Sequence, residues 1–528
     1  MTLTKQSPKV RDPNKFPTAQ LFLLAIVRLA EPIALTSIFP YAWPLVKRFR
    51  VGNEDDASFY AGLLISTFAL AESLTGMFWG ALSDRVGRKP VLLLGCTGTM
   101  LSMVMVGFAA NIWVALAGRA LGGVINGNIG IIQTMVGELV TKPEHEPRAY
   151  SIMPFVWSIG TILGPAIGGY FADPVVSFPD TFASDGLFGK FPYLLPNLIC
   201  SALLLISIAA GYFLLEETHP DMQPRVLLPA TTYHSDETPL MATADAIKTP
   251  AVDLRAETYG TFEGSDDSTW RHSQPKTKPV KIFTPRIIAL IVALAIFSYH
   301  SMSYDHLLPI FLEDEPGTPI PTLSLIARSV TGTPPLRATG GLGLSIQQVG
   351  IIMSINGAIA LFVQAVIFPC AAEMFGIYKL FIIVSVLHPV AYFIMPLLAF
   401  LPPSSLYLGL YTCLAVRNLL SILAYPVLLI LIKEATPSPC VLGKINGLAA
   451  SAGAGARTVA PPVAGYLYSL GSRFEFSGLA WYASSFVAAI GAVQCFSVKR
   501  ERSQYDIDEG VDMKKNPIIV VTEIGDEY

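Results

Sequence analysis

The sequence predicts an all-α membrane protein, with twelve transmembrane helices in two pseudo-symmetric six-helix bundles. Three observations carry this. Hydrophobic residues make up 52% of the 528 residues and charged residues only 14%, with a mean hydropathy of +0.52; a soluble chain carries about 25% charged residues. The apolar residues fall into twelve runs, each long enough to cross a bilayer as a helix, which takes ~20 residues. Short strings in the first half recur at matching places in the second. Length alone would allow several soluble domains, but this composition excludes them.

In chain order the runs cover approximately 19–46, 58–80, 90–109, 112–138, 149–172, 192–215, 285–312, 346–371, 378–400, 405–432, 443–470 and 477–497. The first 18 residues are polar and lack a cleavable signal pattern, so the first helix is read as the targeting signal. Loop charge sets the orientation. One set of loops carries Arg85, Arg88 and Lys89, then Lys142 and Arg148, Lys379, Lys433 and Lys444, and the C-terminal segment adds Lys499, Arg500 and Arg502. The opposite loops carry Glu54, Asp55 and Asp56, then Asp173, Asp180 and Asp185, then Glu313, Asp314 and Glu315. The cluster Lys47-Arg48-Arg50 opposes the trend, but both termini are expected in the cytoplasm.

The domain reading follows. Residues 1–18 form a cytoplasmic tail, 19–215 the first six-helix bundle, 216–283 a disordered cytoplasmic linker, 284–498 the second bundle and 499–528 a cytoplasmic tail. The linker is rich in Pro, Thr, Ser, Asp and Glu and has no sustained helical period. A proline-rich insert at about 313–345, with Gly340-Gly341, reads as an irregular extracellular loop. The formal net charge of -3 carries no sign of a nucleic-acid partner. The 6 cysteines are scattered through or beside apolar runs with no metal-ligand spacing, and read as small hydrophobes. No metal, cofactor or enzymatic constellation is expected: there is no phosphate-cradling Gly-Lys-Thr loop and no nucleophile elbow.

The internal repeat is clearest where Gly160-Thr161-Ile162-Leu163-Gly164-Pro165-Ala166-Ile167-Gly168-Gly169-Tyr170 aligns with Ala456-Arg457-Thr458-Val459-Ala460-Pro461-Pro462-Val463-Ala464-Gly465-Tyr466. The connector Gly80-Ala81-Leu82-Ser83-Asp84-Arg85-Val86-Gly87-Arg88-Lys89-Pro90 has a fainter echo in Cys370-Ala371-Ala372-Glu373-Met374-Phe375-Gly376-Ile377-Tyr378-Lys379, and Arg119 has a rough partner in Arg417. Repeats of this kind build secondary transporters, with substrate held near the midplane between the halves. The connector reads as a tight turn. Gly80 and Gly87 permit close approach and positive φ, and Arg85, Arg88 and Lys89 mark the cytoplasmic surface.

Charges inside the apolar runs must face protein or a water-filled cavity, because a charge in hydrocarbon costs at least ~2.5–3.5 kcal/mol on insertion scales. Arg28 and Glu31 are three residues apart and share a helix face. Glu31 lies near mid-depth and is followed by Pro32. It is the first proton-coupling candidate, with Arg28 or Arg119 competing for its charged form. Asp305 with His306 forms a second titratable site. Glu72, Arg417 and Arg457 are the other buried charges, and the alternative for every one of these groups is a structural ion pair. Phe155, Trp157, Tyr299 and Tyr304, with Arg457, are candidates for the substrate cavity, although aromatic residues also serve as ordinary helix packing.

Three motifs resemble those of the major facilitator superfamily. The connector Gly80–Pro90 matches its loop between helices two and three. Arg119-Ala120-Leu121-Gly122-Gly123 is similar to its intramembrane Arg-x-x-x-Gly motif, and Gly160, Gly164, Pro165, Gly168 and Gly169 match the helix-five motif of its proton antiporters. The strings Arg28-Leu29-Ala30-Glu31-Pro32 and Tyr304-Asp305-His306-Leu307-Leu308-Pro309 resemble the twelve-helix drug:proton antiporter branch, which includes zinc-induced-facilitator-like proteins and fungal multidrug exporters. No His-rich linker of the kind expected for a metal carrier is present: His219, His234 and His272 are isolated.

The resemblance implies a monomer in the bilayer of the plasma membrane or vacuole, whose partners are a small-molecule substrate and protons. It implies proton-coupled export of small organic compounds by alternating access. A facilitator or importer of sugars, organic acids or metal chelates in the same fold is the alternative, and a non-transporting nutrient sensor a more distant one. The resemblance also implies that the connector, including Asp84 and Arg88, gates the cytoplasmic side, with Asp84 facing the start of helix eleven near Lys444 and Ile445.

Overall fold

The structure, a computed structural model, describes residues 16–140, 146–219, 284–316, 340–436, 439–474 and 476–498; side chains are described for residues 155 onward of the helix that begins at 146 and 445 onward of the helix that begins at 439. All of these belong to one compact unit. The other unit, Met1–Asp12 with Gln223–Lys281, lies outside them.

The first half contains α1 (Thr18–Ser37), α2 (Ala42–Phe49), α3 (Ala57–Val86), α4 (Arg88–Gly107), α5 (Ile112–Ile125), α6 (Asn128–Leu139), α7 (Glu146–Tyr170) and α8 (Leu194–Leu214). The second contains α9 (Pro285–Glu313), α10 (Ile346–Phe362), α11 (Phe368–Phe375), α12 (Ile377–Ile394), α13 (Pro403–Ala435), α14 (Pro439–Arg473) and α15 (Leu479–Gln494). Ten stretches of helix are long and apolar enough to cross a membrane among the described residues, counting α5 with α6 and α10 with α11 as single spans. Helices α7 and α14 occupy the fifth and eleventh of the twelve expected places.

Several boundaries depart from the sequence reading for identifiable reasons. The first run is two helices, because Ile38-Phe39-Pro40-Tyr41 forms a turn between α1 and α2. Proline lacks the backbone donor a continuous helix needs there. The fourth run breaks at Asn126-Gly127, where Gly127 lies directly against the Trp79 side chain. The eighth run widens into a π-helical turn at Val363–Ile367, just before Pro369. Thr284 caps α9 by accepting from the Ile287 amide at 3.2 Å, and Ser345 caps α10 with Gln348 in a reciprocal capping box.

The connector is not a turn through most of its length. Helix α3 continues to Val86 and α4 starts at Arg88, so Gly87 alone joins them, at φ +107°. Gly80 sits inside α3 and faces open space, so it serves neither close approach nor positive φ. The echo in the second half has the same form: Gly376, at φ +72°, alone joins α11 to α12. The first residues of the segment read as linker are bonded to the first half. Glu217 accepts the Arg88 and Lys89 amides at 2.9 and 3.1 Å, and Thr218 donates to Glu138 at 2.6 Å. Residues 220–283 lie outside the described ones.

The face carrying Arg85, Arg88 and Lys89 is called the basic face below, and the opposite one, with Asp56 and Asp314, the acidic face. At the acidic face the halves meet twice, by the same device. Gly62 of α3 packs on Pro461 of α14, and Gly350 of α10 packs on Pro165 of α7. Gly465 abuts Ser58, and Gly169 abuts Gly350. Asp56 accepts from Arg473 at 2.5 Å and from Ser469 at 3.2 Å, while Gln347 donates to Ser177 at 2.6 Å. Deeper, Ser158 of α7 bonds Gln364 at 3.1 Å. Toward the basic face, Gly76 and Gly80 of α3 and Gly447 and Gly455 of α14 face open space.

The opposing Lys47-Arg48-Arg50 cluster lies on or just after α2, on the acidic side. Arg48 donates to the Gly189 and Lys190 carbonyls at 3.2 and 3.1 Å, and the Lys47 ammonium stacks over Trp43 at 3.9 Å. The two ends of the proline-rich insert are tied: the Leu342 and Leu344 amides donate to Phe311 and Leu312 carbonyls, and the Gly343 amide donates to Asp314. Residues 317–339 lie outside the described ones.

Candidate functional site

The deepest polar constellation of the first half surrounds Glu31. This side chain is 1% exposed. Its Oε2 accepts from Arg28 Nη1 at 2.6 Å and from Asn128 Nδ2 at 3.0 Å, and its Oε1 accepts from Asn126 Nδ2 at 2.8 Å. The break between α5 and α6 makes this possible. Asn126 leaves the helix, its Oδ1 accepts the Asn128 amide at 2.9 Å, and both carboxamides turn toward α1. Asn128 also donates to Cys96 Sγ at 3.6 Å, and the Arg28 guanidinium lies 6.0 Å from the Trp157 ring centre. Asn126 and Asn128 were not among the sequence candidates. The signal was Asn-Gly-Asn inside an otherwise apolar run, where a helix has to break.

Arg119 does not contact Glu31. Its Nε donates to the Leu64 carbonyl at 3.2 Å, its guanidinium lies 4.7 Å from the Phe68 ring, and Nη1 is buried without a partner. Glu72 lies at the middle of α3, where Gly123 of α5 comes close to its amide. Its Oε1 is shielded and accepts no hydrogen bond.

In the second half Asp305 pairs with Arg417 of α13 at 2.7 Å, and Arg417 also donates to Ser301 Oγ at 3.2 Å. The Asp305 side chain is 43% exposed while that of Arg417 is 6% exposed, so the pair opens on one side. Asp305 and His306 are not brought together, which corrects their reading as one titratable site: adjacent residues of a helix point ~100° apart. His306 instead faces the Ser58 carbonyl of the other half at 3.3 Å. His300 bonds Tyr392 at 2.7 Å.

Of the cavity candidates, Phe155 and Trp157 are 53% and 41% exposed, and Tyr299 and Arg457 are partly buried. Tyr304 corrects the expectation. It is fully buried, with the Arg417 guanidinium 4.3 Å from its ring and its hydroxyl 3.5 Å from Met395 Sδ, and it lines no cavity.

The helix-five glycines have two destinations. Gly160 packs on Pro32, Gly164 on Thr36 and Ile33, and Gly168 on Ser37, all of α1; Gly169 packs on α10 of the other half. Thr36 Oγ1 donates to the Pro32 and Gly160 carbonyls at 2.7 and 3.0 Å. Pro165 presents its carbonyl to Gly350. In the connector, Arg88 is buried against Asp84 at 2.5 Å, Ser83 at 2.6 Å and Glu138 at 3.0 Å. Lys89 donates to the Tyr212 and Leu215 carbonyls, and Arg85 is exposed. Asp84 is 63% exposed, and its partner among the described residues is Arg88 rather than α14; the Lys444 side chain lies outside the described residues. Among the described residues no group of three or more His, Cys, Asp or Glu side chains could hold a metal.

Two related helical halves, crossing at one face around buried ion pairs, define a secondary transporter. The family comparison agrees: residues 24–332 match the model of the Major Facilitator Superfamily, and the chain belongs to that family. It is 37% identical, over 94% of its length and 86% of the relative, to the major facilitator superfamily multidrug transporter mfsB of Aspergillus fumigatus. It is 27% identical to zinc-induced facilitator 1 of Arabidopsis thaliana, over 87% of this chain and 85% of that one. The crystal structure of a D-xylose–proton symporter superposes with a TM-score of 0.63 at 14% identity, covering 92% of this chain and 99% of that one. The protein is a multi-pass integral membrane transporter of small molecules.

Proposed function

We propose that this transporter exports small organic compounds in exchange for protons, by alternating access of its two halves. The carrying observation is the arrangement of contacts between the halves. They are latched at the acidic face by Asp56 with Arg473 and by the Gly62–Pro461 and Gly169–Gly350 crossings, while glycines of α3 and α14 face open space toward the basic face. The Arg and Lys bias of the loops makes the basic face cytoplasmic, so this is the state in which an exporter loads. The helix-five motif, complete in this sequence and packed on α1 beside Glu31, supports antiport over facilitation. The name of the multidrug relative supports organic compounds as cargo.

Ion pairs within the halves are part of the buried charge on which proton coupling can act. Arg28 with Glu31 and Arg417 with Asp305 lie on helices that must move relative to the opposite half, and a carboxylate changes its proton affinity when its cation or its solvent changes. Arg119 is a further buried cation of the same half, held on the Leu64 carbonyl rather than on this pair. Phe155, Trp157, Tyr299 and Arg457 are the candidates for the cargo cavity, three aromatic rings and one positive charge that would suit amphipathic or aromatic cargo. The protein works as a monomer in the plasma or vacuolar membrane, with both termini in the cytoplasm. The test is transport by purified protein in proteoliposomes with an imposed pH gradient, across a panel of organic compounds. Accumulation that follows the gradient and collapses with a protonophore is the expected result; equilibration that ignores the gradient overturns antiport.

A further inference from the structure

The proton-coupled reading leaves open which carboxylate carries the proton. Glu31 is poorly placed to do so. Both of its oxygens are engaged, by one guanidinium and two carboxamides, and it is shut away from water.

Glu72 is the opposite case. It stands at the middle of α3, a thirty-residue helix, so water from either face has a similar distance to travel. Its Oε1 has no donor, and among the described residues no ion pair includes it. The charged groups that act on it come from every side: Arg28 and Glu31 from α1, Arg119 from α5, and Arg457 from α14. Arg28 is already bound to Glu31, and Arg119 spends Nε on Leu64 and leaves Nη1 unpartnered. Arg457 has no ion pair or hydrogen bond among the described residues.

Helix register brings the last pair within reach of each other. Gly62 on Pro461 and Ser58 on Gly465 fix an antiparallel pairing of α3 with α14, which sets Arg457 opposite Ser66. Glu72 lies six residues further toward the basic face, roughly 9 Å at ~1.5 Å per residue. Helical side chains lean toward their own N-terminus. Glu72 therefore leans toward the acidic face and Arg457 toward the basic face, so the two lean toward each other across the gap. The gap is open in this state because α3 and α14 diverge below their crossing.

We propose that Glu72 is the proton-carrying carboxylate, and that it forms an ion pair with Arg457 when the basic face closes. The ion pair holds that face shut. A proton from the acidic side binds the Glu72 carboxylate, forming an O–H bond and removing its charge, and the latch to Arg457 opens. The basic face then separates and the proton leaves Glu72 to water on that side. The inference rests on the proton-coupled reading, but its test needs no transported compound.

Spin labels at Met77 of α3 and Leu448 of α14, both exposed on the diverging segments, report the distance between the basic ends. In the otherwise wild-type protein, raising the pH should shift the distribution from long to short distances. A one-proton switch changes the closed-to-open ratio by at most ~10-fold per pH unit. Glu72→Gln should hold the long distance at every pH, and Arg457→Gln should do the same. Exchanging the two charges, Glu72→Arg with Arg457→Glu, should restore the short distance. If Glu72→Gln cannot be recovered folded, Arg457→Gln and the exchanged pair still decide. A wild-type pH response in Glu72→Gln, or wild-type closure in Arg457→Gln, overturns the proposal. Failure of every compound in the proteoliposome panel would instead count against the export reading alone.

Discussion

Gly169 of α7 and Gly350 of α10 meet backbone to backbone: a Cβ on Gly169 would lie 2.6 Å from the Gly350 Cα, and one on Gly350 would lie 2.7 Å from the Gly169 Cα. Neither helix has room for any side chain here while the acidic face is closed. Gly169→Leu should therefore disfavour this state and leave the opposite one untouched. Overpacking costs about 1–3 kcal/mol, which would lower the closed population at this face by roughly 5- to 150-fold. Distances between labels at Val176 and Phe474, both exposed on the acidic side and outside the latch, measure it. An unchanged distribution would show that the crossing is not what limits approach.

Gly164→Leu tests a different joint of the same motif. Gly164 packs on Thr36 within one half, so the bulk should push α7 off α1 in both states. Lower yield of folded protein and lost transport are expected together, whereas Gly169→Leu should lose transport with normal yield. Equal yields for the two variants would contradict this division of the motif.

Asp84→Asn addresses the gate. In this state Asp84 is mostly exposed and bonds Arg88, and exposed pairs contribute about 0–1 kcal/mol. The melting temperature should barely move. An anion facing a helix N-terminus is worth ~0.3–1 kcal/mol, so the ratio of the two states should shift roughly two- to fivefold toward this one. A wild-type ratio would remove Asp84 from the gate.

Asp314, just past the end of α9, gives a pH dependence. Burial pushes its carboxyl above the ordinary 3.8, with the Tyr468 hydroxyl and the Lys47 ammonium opposing the rise. The folded state thus binds this proton more readily than the unfolded state. The sign follows: its contribution is most favourable below the unfolded value and declines as pH rises through the folded one. Asp314→Asn should raise the melting temperature at neutral pH, because its amide oxygen can still accept from Tyr468, and the gain should vanish on acidification well below the ordinary 3.8. A gain that persists in acid would assign it to something other than titration.

The helices were legible because the bilayer demands long apolar runs, and the crossings were legible because only small residues allow backbones so close. Gly87 and Gly376 could be read from their spacing. What faced what was much less legible. A helix apolar on all sides carries no amphipathic stripe to mark its inner face, so Tyr304 could be read as lining a cavity when it is buried. The distant partners of Glu31 and Asp305 come from the break after α5, from α6 and from α13, about a hundred residues away. One sequence could place Arg28 on the Glu31 face, but it could not bring in Asn126 and Asn128 without the break between α5 and α6.

That break makes the Arg28–Glu31 pair the most testable structural element in the first half. Both side chains are buried, 2.6 Å apart, and Asn126 and Asn128 satisfy the remaining capacity of the carboxylate. Removing one partner of such a pair leaves an uncompensated charge and costs about 3–5 kcal/mol, whereas replacing both with apolar groups is often neutral. Glu31→Gln should therefore melt well below the wild type. It keeps a side chain that Asn126 and Asn128 can still bond, but it abandons Arg28. Arg28→Met combined with Glu31→Gln should recover most of the loss. If Glu31 is instead the proton carrier, Glu31→Gln should fold normally, keep exchanging substrate and lose only gradient-driven accumulation, and the second substitution should restore nothing. Thermal melting beside pH-driven uptake for the single and double variants separates these outcomes. Normal melting with lost coupling in Glu31→Gln would return the proton to Glu31 and leave Glu72 as a latch alone.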